Sequence, residues 1–341
     1  MNIGSNTRKG STGRLVGIAI AAALAVGIAG CSSDGTPSGG STSAAKTGTI
    51  AWESANTGNG FYIAAQCGMV AAAKSAGVTV KYYGNTPFSA QAQLPVLNAI
   101  AATNPKVLIV PTTDPAALDA PISQMRANGT KVIAFDNAPS DSSLYDGFVE
   151  ANQVQGGVEA ADRIAKILNG KGKVLLIDLR PGVAAVNDHT VGFLKEIKKF
   201  PGIKPLATTY DQESADKDAS IVNATLAANP DLAAVVPMYN EAADGAVAAL
   251  RAANKLSSIK IVTFDGEPDL VGWVKDGTID SFILNPPFSV SKKALAMALQ
   301  ALKGETISPK VVQLDMPLVT KDNVNDPKVS SEFYRTEACK S

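Results

Sequence analysis

One histidine, three cysteines and no net charge leave this chain of 341 residues little to offer metals or polyanions. The lone His189 and the scattered cysteines supply too few ligands of the right type for a transition metal. The 31 Lys and Arg balance 31 Asp and Glu. No basic stripe or polybasic run occurs, which argues against nucleic acid and against charge-driven binding to acidic lipid. A nucleophile elbow and a phosphate-binding glycine loop are both missing, and Gly58-Asn59-Gly60 is too short for a dinucleotide fingerprint. The chain is therefore read as no enzyme, with no cofactor and no metal. Its longest apolar run, Leu15–Ala29, holds 15 residues. As a helix it reaches ~22 Å, short of a ~30 Å hydrocarbon core.

What is there begins with that run. It follows a basic tip (Arg8, Lys9, Arg14) and ends in Ile28-Ala29-Gly30-Cys31, which reads as a lipobox: residues 1–30 are a signal peptide, and Cys31 is acylated and becomes the new N-terminus. An ordinary secretory signal with an incidental cysteine is the competing reading. A diacylglyceryl cysteine gives more than one chain, which stable anchoring needs, so the protein is expected outside the cytoplasm, tethered to the membrane by lipid alone. Removal of residues 1–30 leaves 28 Lys and Arg against 31 Asp and Glu. Residues 31–47, Ser-, Gly- and Thr-rich beyond Cys31, cannot bury a core and read as a flexible tether. In an oxidising compartment the two other cysteines, Cys67 and Cys339, are expected to be bridged rather than left as thiols. Such a bridge would pin the C-terminal tail to the first helix.

The remainder alternates short β-branched runs with longer Ala-rich amphipathic stretches. Strands are expected at Thr49–Glu53, Val78–Tyr83, Val107–Pro111, Lys131–Asp136 and Gly147–Ala151. A second series runs Lys173–Asp178, Leu206–Tyr210, Ala234–Met238, Lys260–Phe264 and Ile279–Leu284. Helices are expected between them, at Phe61–Ala76, Ala90–Thr103, Pro115–Asn128, Gln153–Leu168, Asn187–Phe200, Ala215–Ala228, Glu241–Ala253 and Ser289–Leu302. Strands such as Val107-Leu108-Ile109-Val110 are apolar on both faces, as a parallel sheet covered by helices requires. Two successive β/α series predict an α/β protein of two similar lobes. Ligands gather beyond the carboxyl ends of strands in such sheets. Those ends carry Asp114, Asp136-Asn137, Tyr210-Asp211, Tyr239-Asn240, Asp265-Gly266 and Asn285-Pro286, with Asn56–Tyr62 after the first strand. Acids and amides exchange hydrogen bonds with several hydroxyls at once, and aromatic rings cover C–H surface. That mixture suits a hydroxyl-rich neutral ligand.

At these positions the chain resembles the ribose-binding-protein family of type I periplasmic binding proteins, over about Thr49 to Thr320. Asn59-Gly60-Phe61-Tyr62 is similar to the family's loop after the first strand. Phe135-Asp136-Asn137 matches its strand-end Asp-Arg step, and Asn152-Gln153-Val154-Gln155-Gly156-Gly157 its first crossover. Asn187-Asp188-His189-Thr190-Val191-Gly192-Phe193 sits at its Arg-containing segment, and Thr263-Phe264-Asp265-Gly266 at its Gly-Phe-Asp-Gly. The resemblance implies two Rossmann-like lobes with parallel sheets joined by a hinge. One lobe would take 48–150 with 286–314 and the other 151–285 with 315–325, leaving 326–341 as a tail. It implies a ligand set of Asn59, Phe61, Asp136, Asn137, Asn187, Tyr210, Tyr239, Asp265 and Asn285, with Tyr62 secondary; His189 is read as a helix-face residue, its neighbourhood leaving a ligand role as the alternative.

The departures bear on the ligand. Asn137 and Asn187 stand where ribose binders place arginines, and Tyr239 where they place an amide. Losing two guanidinium forks removes rigid multi-donor clamps, and a tyrosine shrinks the cavity. The pattern looks most like actinobacterial lipoproteins for sugar alcohols of the threitol or xylitol type. It implies a monomer that delivers a small neutral polyol, a tetritol or pentitol, to ABC permease subunits. A pentose or hexose ligand, and a sensor presenting bound sugar to a membrane kinase, are the alternatives.

Overall fold

In the computed structural model, which describes residues 49–334 and 339, the two β/α series become two sheets. The first series runs β1 (Ile50–Ser54), α1 (Gly60–Ala76), β2 (Val80–Gly84), α2 (Ala90–Ala101), β3 (Val107–Val110), α3 (Pro115–Ala127), β4 (Lys131–Phe135) and β5 (Gly147–Ala151). The second runs α4 (Gln153–Ile167), β6 (Gly172–Asp178), α5 (Ala184–Glu196), β7 (Ile203–Pro205), β8 (Thr209–Tyr210), α6 (Ala215–Ala228), β9 (Leu232–Pro237), α7 (Asn240–Ala252), β10 (Lys260–Phe264), α8 (Pro268–Asp276) and β11 (Ser281–Ile283). The chain then returns through α9 (Pro287–Leu302), β12 (Val311–Leu314), β13 (Leu318–Thr320) and α10 (Pro327–Ser330).

The first sheet has the order β12-β5-β4-β3-β1-β2 and the second β13-β11-β10-β9-β6-β7, with β8 also paired to β6. Every pairing is parallel except β11 with β13. Strands β1 and β3 are buried from end to end, Val107–Val110 on both faces, which is what their unbroken apolar runs require. Polar side chains start the helices. Asn59, Ser89, Asp114, Asn152 and Ser214 each accept a backbone N–H of the first turn, satisfying donors that the helix itself cannot.

The chain passes between the sheets after β5, after β11 and between β12 and β13, so residues near 152, 285 and 316 form the hinge. Helices α4 and α5 meet backbone to backbone. A Cβ on Gly157 would lie 2.0 Å from the His189 carbonyl oxygen, and one on Gly192 equally close to that of Val154. Only glycine permits this approach, and it fixes the face of α5 that carries His189.

Two expectations need correction. Of the strand expected at Leu206–Tyr210 only the end forms, as β8, while the short β7 precedes it. The helix expected from Asn187 starts a turn earlier, at Ala184. Helix α8 and the strands β12 and β13 were not among the expected elements. The signal peptide, Cys31 and the tether lie outside the described residues.

Candidate ligand-binding site

Two buried strands end in the same way. Phe135 closes β4 and Phe264 closes β10, and the aspartate after each has positive φ, 62° at Asp136 and 84° at Asp265. Each aspartate N–H donates to the neighbouring strand at 3.0 Å, to Val149 O and to Ile283 O. Aspartate tolerates this left-handed backbone better than most residues. Both side chains thereby line one cavity between the lobes.

The first wall is aromatic. Phe61 stacks on Phe135 at 5.9 Å and meets Tyr62 edge-on at 5.3 Å. The Tyr62 hydroxyl donates to Asp136 Oδ2 at 2.8 Å, and Asn137 Nδ2 donates to the same oxygen at 3.0 Å. Both of these donors take the one oxygen, Oδ2. Burial is the main force pushing the Asp136 carboxyl up to about 7, against the lowering effect of these donors.

Acids dominate the opposite wall. Glu213, Glu241 and Asp265 line it beside Tyr239 and His189. Asp265 accepts from the Asn240 N–H and from the Tyr334 hydroxyl, each at 3.1 Å. Burial raises its carboxyl, and those two donors lower it. Burial, and then the Asp265 charge, push Glu241 up to about 7. The Tyr239 hydroxyl is tied to the buried Asp211. His189 stacks on Phe264 with ring centroids 3.8 Å apart. Desolvation pushes it down to about 4, so the ring is neutral. Its Nδ1 lies 2.9 Å from Met238 O and its Nε2 2.6 Å from Gln153 Oε1, while the Gln153 amide nitrogen has no partner. With the Gln153 amide turned over, a neutral ring that donates to Met238 O accepts from that nitrogen.

The walls touch. Asn59 spends its side-chain oxygen on the N–H groups of Phe61 and Tyr62 and donates Nδ2 to Glu241 at 2.9 Å. The Ala185 N–H donates to Asn137 Oδ1 at 3.0 Å. Arg180 donates to Phe88 O at 3.2 Å, its guanidinium 5.5 Å from that ring. These bonds span the lobes and close them over a cavity with about 80 Å³ accessible to water. No Lys or Arg lines it.

Of the residues expected to bind, Asn59, Phe61, Asp136, Asn137, Tyr239, Asp265 and Asn285 line this cavity. Asn187 and Tyr210 do not. The Asn187 amide turns back to accept from the Gly182 and Val183 N–H groups and to donate to Asp178 and Arg180 O. Tyr210 is 42% exposed; its neighbour Asp211 points inward, as alternation along a strand demands. His189, on the inward face of α5, belongs to the cavity wall, in line with the alternative its neighbourhood left open. Glu213, Glu241 and Tyr334 were not anticipated. Glu241 lies two residues beyond the strand-end tyrosine and was within reach of the same reasoning. Tyr334 comes from the tail, far in sequence from every strand end.

Residues 50–306 match the model of the periplasmic binding protein domain. The ribose import binding protein of Salmonella typhimurium is 29% identical over 218 residues, 63% of this chain and 72% of that protein. The xylitol-binding protein of Mycolicibacterium smegmatis is 25% identical over 96% of this chain and 90% of its own. A solved ABC transporter solute-binding protein from Agrobacterium vitis, bound to α-D-tagatopyranose, superposes with a TM-score of 0.81 at 30% identity. That match covers 84% of this chain and 99% of the other. The chain belongs to the periplasmic binding protein family and has its two-lobed type I fold; its relatives are solute-binding proteins and not enzymes.

Proposed function

We propose that this chain is the solute-binding lipoprotein of an ABC importer, and that its cleft captures a small neutral polyol, a tetritol such as threitol or a pentitol. One observation carries the reading: the cleft's surplus of acceptors. Asp136, Glu213, Glu241 and Asp265 face the cavity with no cationic side chain among them, and the buried Asn285 Oδ1 has no partner. Every oxygen of an open-chain polyol bears a hydrogen to give, whereas a ring ether oxygen only accepts. The volume of about 80 Å³ holds roughly five to eight water-sized positions, in keeping with a four- or five-carbon chain. The similarity to a xylitol-binding protein along nearly the whole chain supports the same class.

The ligand docks on the aromatic first wall, and the second lobe closes through Asn59–Glu241 and Asn137–Ala185. Bonds made only when the lobes meet stabilise the closed form, and preferential docking of that form on the permease reports occupancy. Cys31 carries the lipid that keeps this monomer at the membrane surface; radiolabelled palmitate incorporated by the wild type and not by Cys31→Ala supports that step. A ring-form pentose or hexose is the second reading, favoured by the tagatopyranose complex of the similar structure.

A thermal-shift screen over tetritols, pentitols, pentoses and hexoses, followed by calorimetry, decides between them, because a ligand of the folded state alone raises the melting point. Tighter binding of a tetritol or pentitol than of any ring sugar is expected. The reverse order transfers the site to ring sugars, and a flat response to the whole panel removes both readings.

A further inference from the structure

Beyond β13 the chain makes one more passage between the lobes. The Glu332 carboxylate accepts from the N–H groups of Phe288 and Ser289, at 3.0 and 3.2 Å, and from the Ser289 hydroxyl at 2.5 Å. It thereby caps α9, which packs in the first lobe against α1, β3, β4 and β5. Phe333 meets Phe282 of the second lobe edge-on at 5.8 Å. Tyr334 donates its N–H to Gly266 O at 2.9 Å and sets its ring 6.0 Å from that of Phe61. Its hydroxyl lies 3.1 Å from both Asp265 Oδ1 and the Asn285 carbonyl. Cys339 is then bonded to Cys67 of α1. Through Glu332, Phe333, Tyr334 and Cys339 the tail therefore engages the first lobe, the hinge and a cavity-lining acid of the second.

We propose that the disulfide-tied tail is a fourth connection between the lobes, and that through Tyr334 it positions Asp265 for the ligand, so that reduction of Cys67–Cys339 loosens the cleft. The part concerning Asp265 rests on the ligand-binding reading above. Tyr334 is a positioning residue: it is only 3% exposed, and its single hydroxyl proton is offered to the Asp265 carboxylate and the hinge carbonyl together. Gly266 leaves room for it, since a Cβ there would sit 3.2 Å from the Tyr334 ring. A chain terminus frays unless it is tied down, and here the tie is covalent and on the opposite lobe. Cutting it leaves Tyr334 held only by non-covalent contacts: its N–H bond to Gly266 O, its hydroxyl bonds, its ring contacts and the Glu332 cap two residues before it.

The test uses the full mature chain with xylitol and D-arabinose as probes. Wild type, Tyr334→Phe, the double variant Cys67→Ser/Cys339→Ser, and the triple combination are compared by calorimetry, and ligand-free samples by small-angle scattering with and without a thiol reductant. Tyr334→Phe is expected to weaken binding roughly tenfold, the size of one lost bond to a charged group. Removing the disulfide should cost about as much, and the two losses should not add, because they break one chain of contacts. The reduced ligand-free protein should show a larger radius of gyration. Additive losses, or unchanged affinity alongside a lowered melting point, reduce the bridge to a simple staple and overturn the proposal. If neither probe binds the wild type, xylitol and D-arabinose are excluded as ligands, and the scattering arm still decides: a radius unaltered by reduction sinks the fourth connection.

Discussion

Asp136 and Asp265 occupy equivalent places in two lobes of the same topology, yet they are held differently. Asp136 takes both its partners, Tyr62 and Asn137, from its own lobe, against a bed of Phe61 and Phe135. Asp265 depends on one backbone N–H and on a hydroxyl delivered by the tail. The strand-end device is shared; the support is not. A wall that supplies its own side-chain partners is preorganised before the lobes meet. A wall completed by the tail is set by the state of the hinge. The first lobe is thus built to bind and the second to respond.

The sharpest way to break this comparison is to remove each acid in turn. Asp136→Ala strips two donors of their acceptor as well as the ligand of its own, and should cost about 3 kcal/mol of binding free energy in calorimetry. Asp265→Ala should cost about 2 kcal/mol, since it leaves one backbone donor and one mobile hydroxyl to find water. Equal losses, or the reverse order, would make the two walls equivalent.

Protonation tests both walls at once. Asp136 and Glu241 are each pushed up to about 7, and only their ionised forms accept hydroxyl protons on every lone pair. Affinity should therefore fall roughly tenfold from pH 8 to pH 6. Stability without ligand moves the other way. These carboxyls hold protons in the folded chain that the unfolded chain has already lost, so their contribution is complete below the unfolded values of 3.8 and 4.5 and disappears as pH rises through about 7. His189, lowered from 6.5 to about 4, acts oppositely and withdraws stability as pH falls below 6.5. The melting point of the empty protein should drop between pH 6.5 and pH 8 while ligand affinity climbs. A parallel rise of both would mean that the cavity acids are ionised without cost.

The interlobe contacts predict smaller effects. Glu241→Gln turns the charge-assisted bond from Asn59 into a neutral one and should weaken binding by about 1 kcal/mol. The loss should appear as faster ligand release rather than slower capture, because the bond forms only on closure. A slowed association rate would place Glu241 in the initial encounter.

Much of this geometry was legible in the chain. Apolar β-branched runs gave the two sheets, and the carboxyl ends of those runs gave both aspartates, since a residue after a buried strand must leave the sheet. Reasoning failed where a side chain answers to something non-local. Asn187 has the right type and neighbourhood, but the earlier start of α5 puts it within reach of the orphaned N–H groups of residues 182 and 183, and local satisfaction wins. His189 looked like an ordinary helical position because nothing in a single sequence announces the backbone contact of Gly157 with Gly192 that buries it. Tyr334 reaches Asp265 across 69 residues of sequence, a contact no periodicity encodes.

Tyr210 offers the smallest effect and the finest discrimination. Sequence placed it in the cavity beside Tyr239, and both stand at strand ends of the second sheet, Tyr210 closing β8 and Tyr239 two residues past β9. Only β8 forms within the strand expected there, and alternate side chains along such a segment face opposite ways. Tyr239 is 6% exposed and anchored to Asp211, while Tyr210 is 42% exposed. Tyr210→Ala should leave ligand affinity and stability within about 0.5 kcal/mol of wild type, as surface substitutions usually do. Tyr239→Ala opens a void in the wall, takes from the buried Asp211 Oδ2 its hydroxyl donor and should cost several times more. A loss of affinity at Tyr210 comparable to that at Tyr239, without a change in melting point, would mean that β8 turns on ligand binding and brings Tyr210 inward.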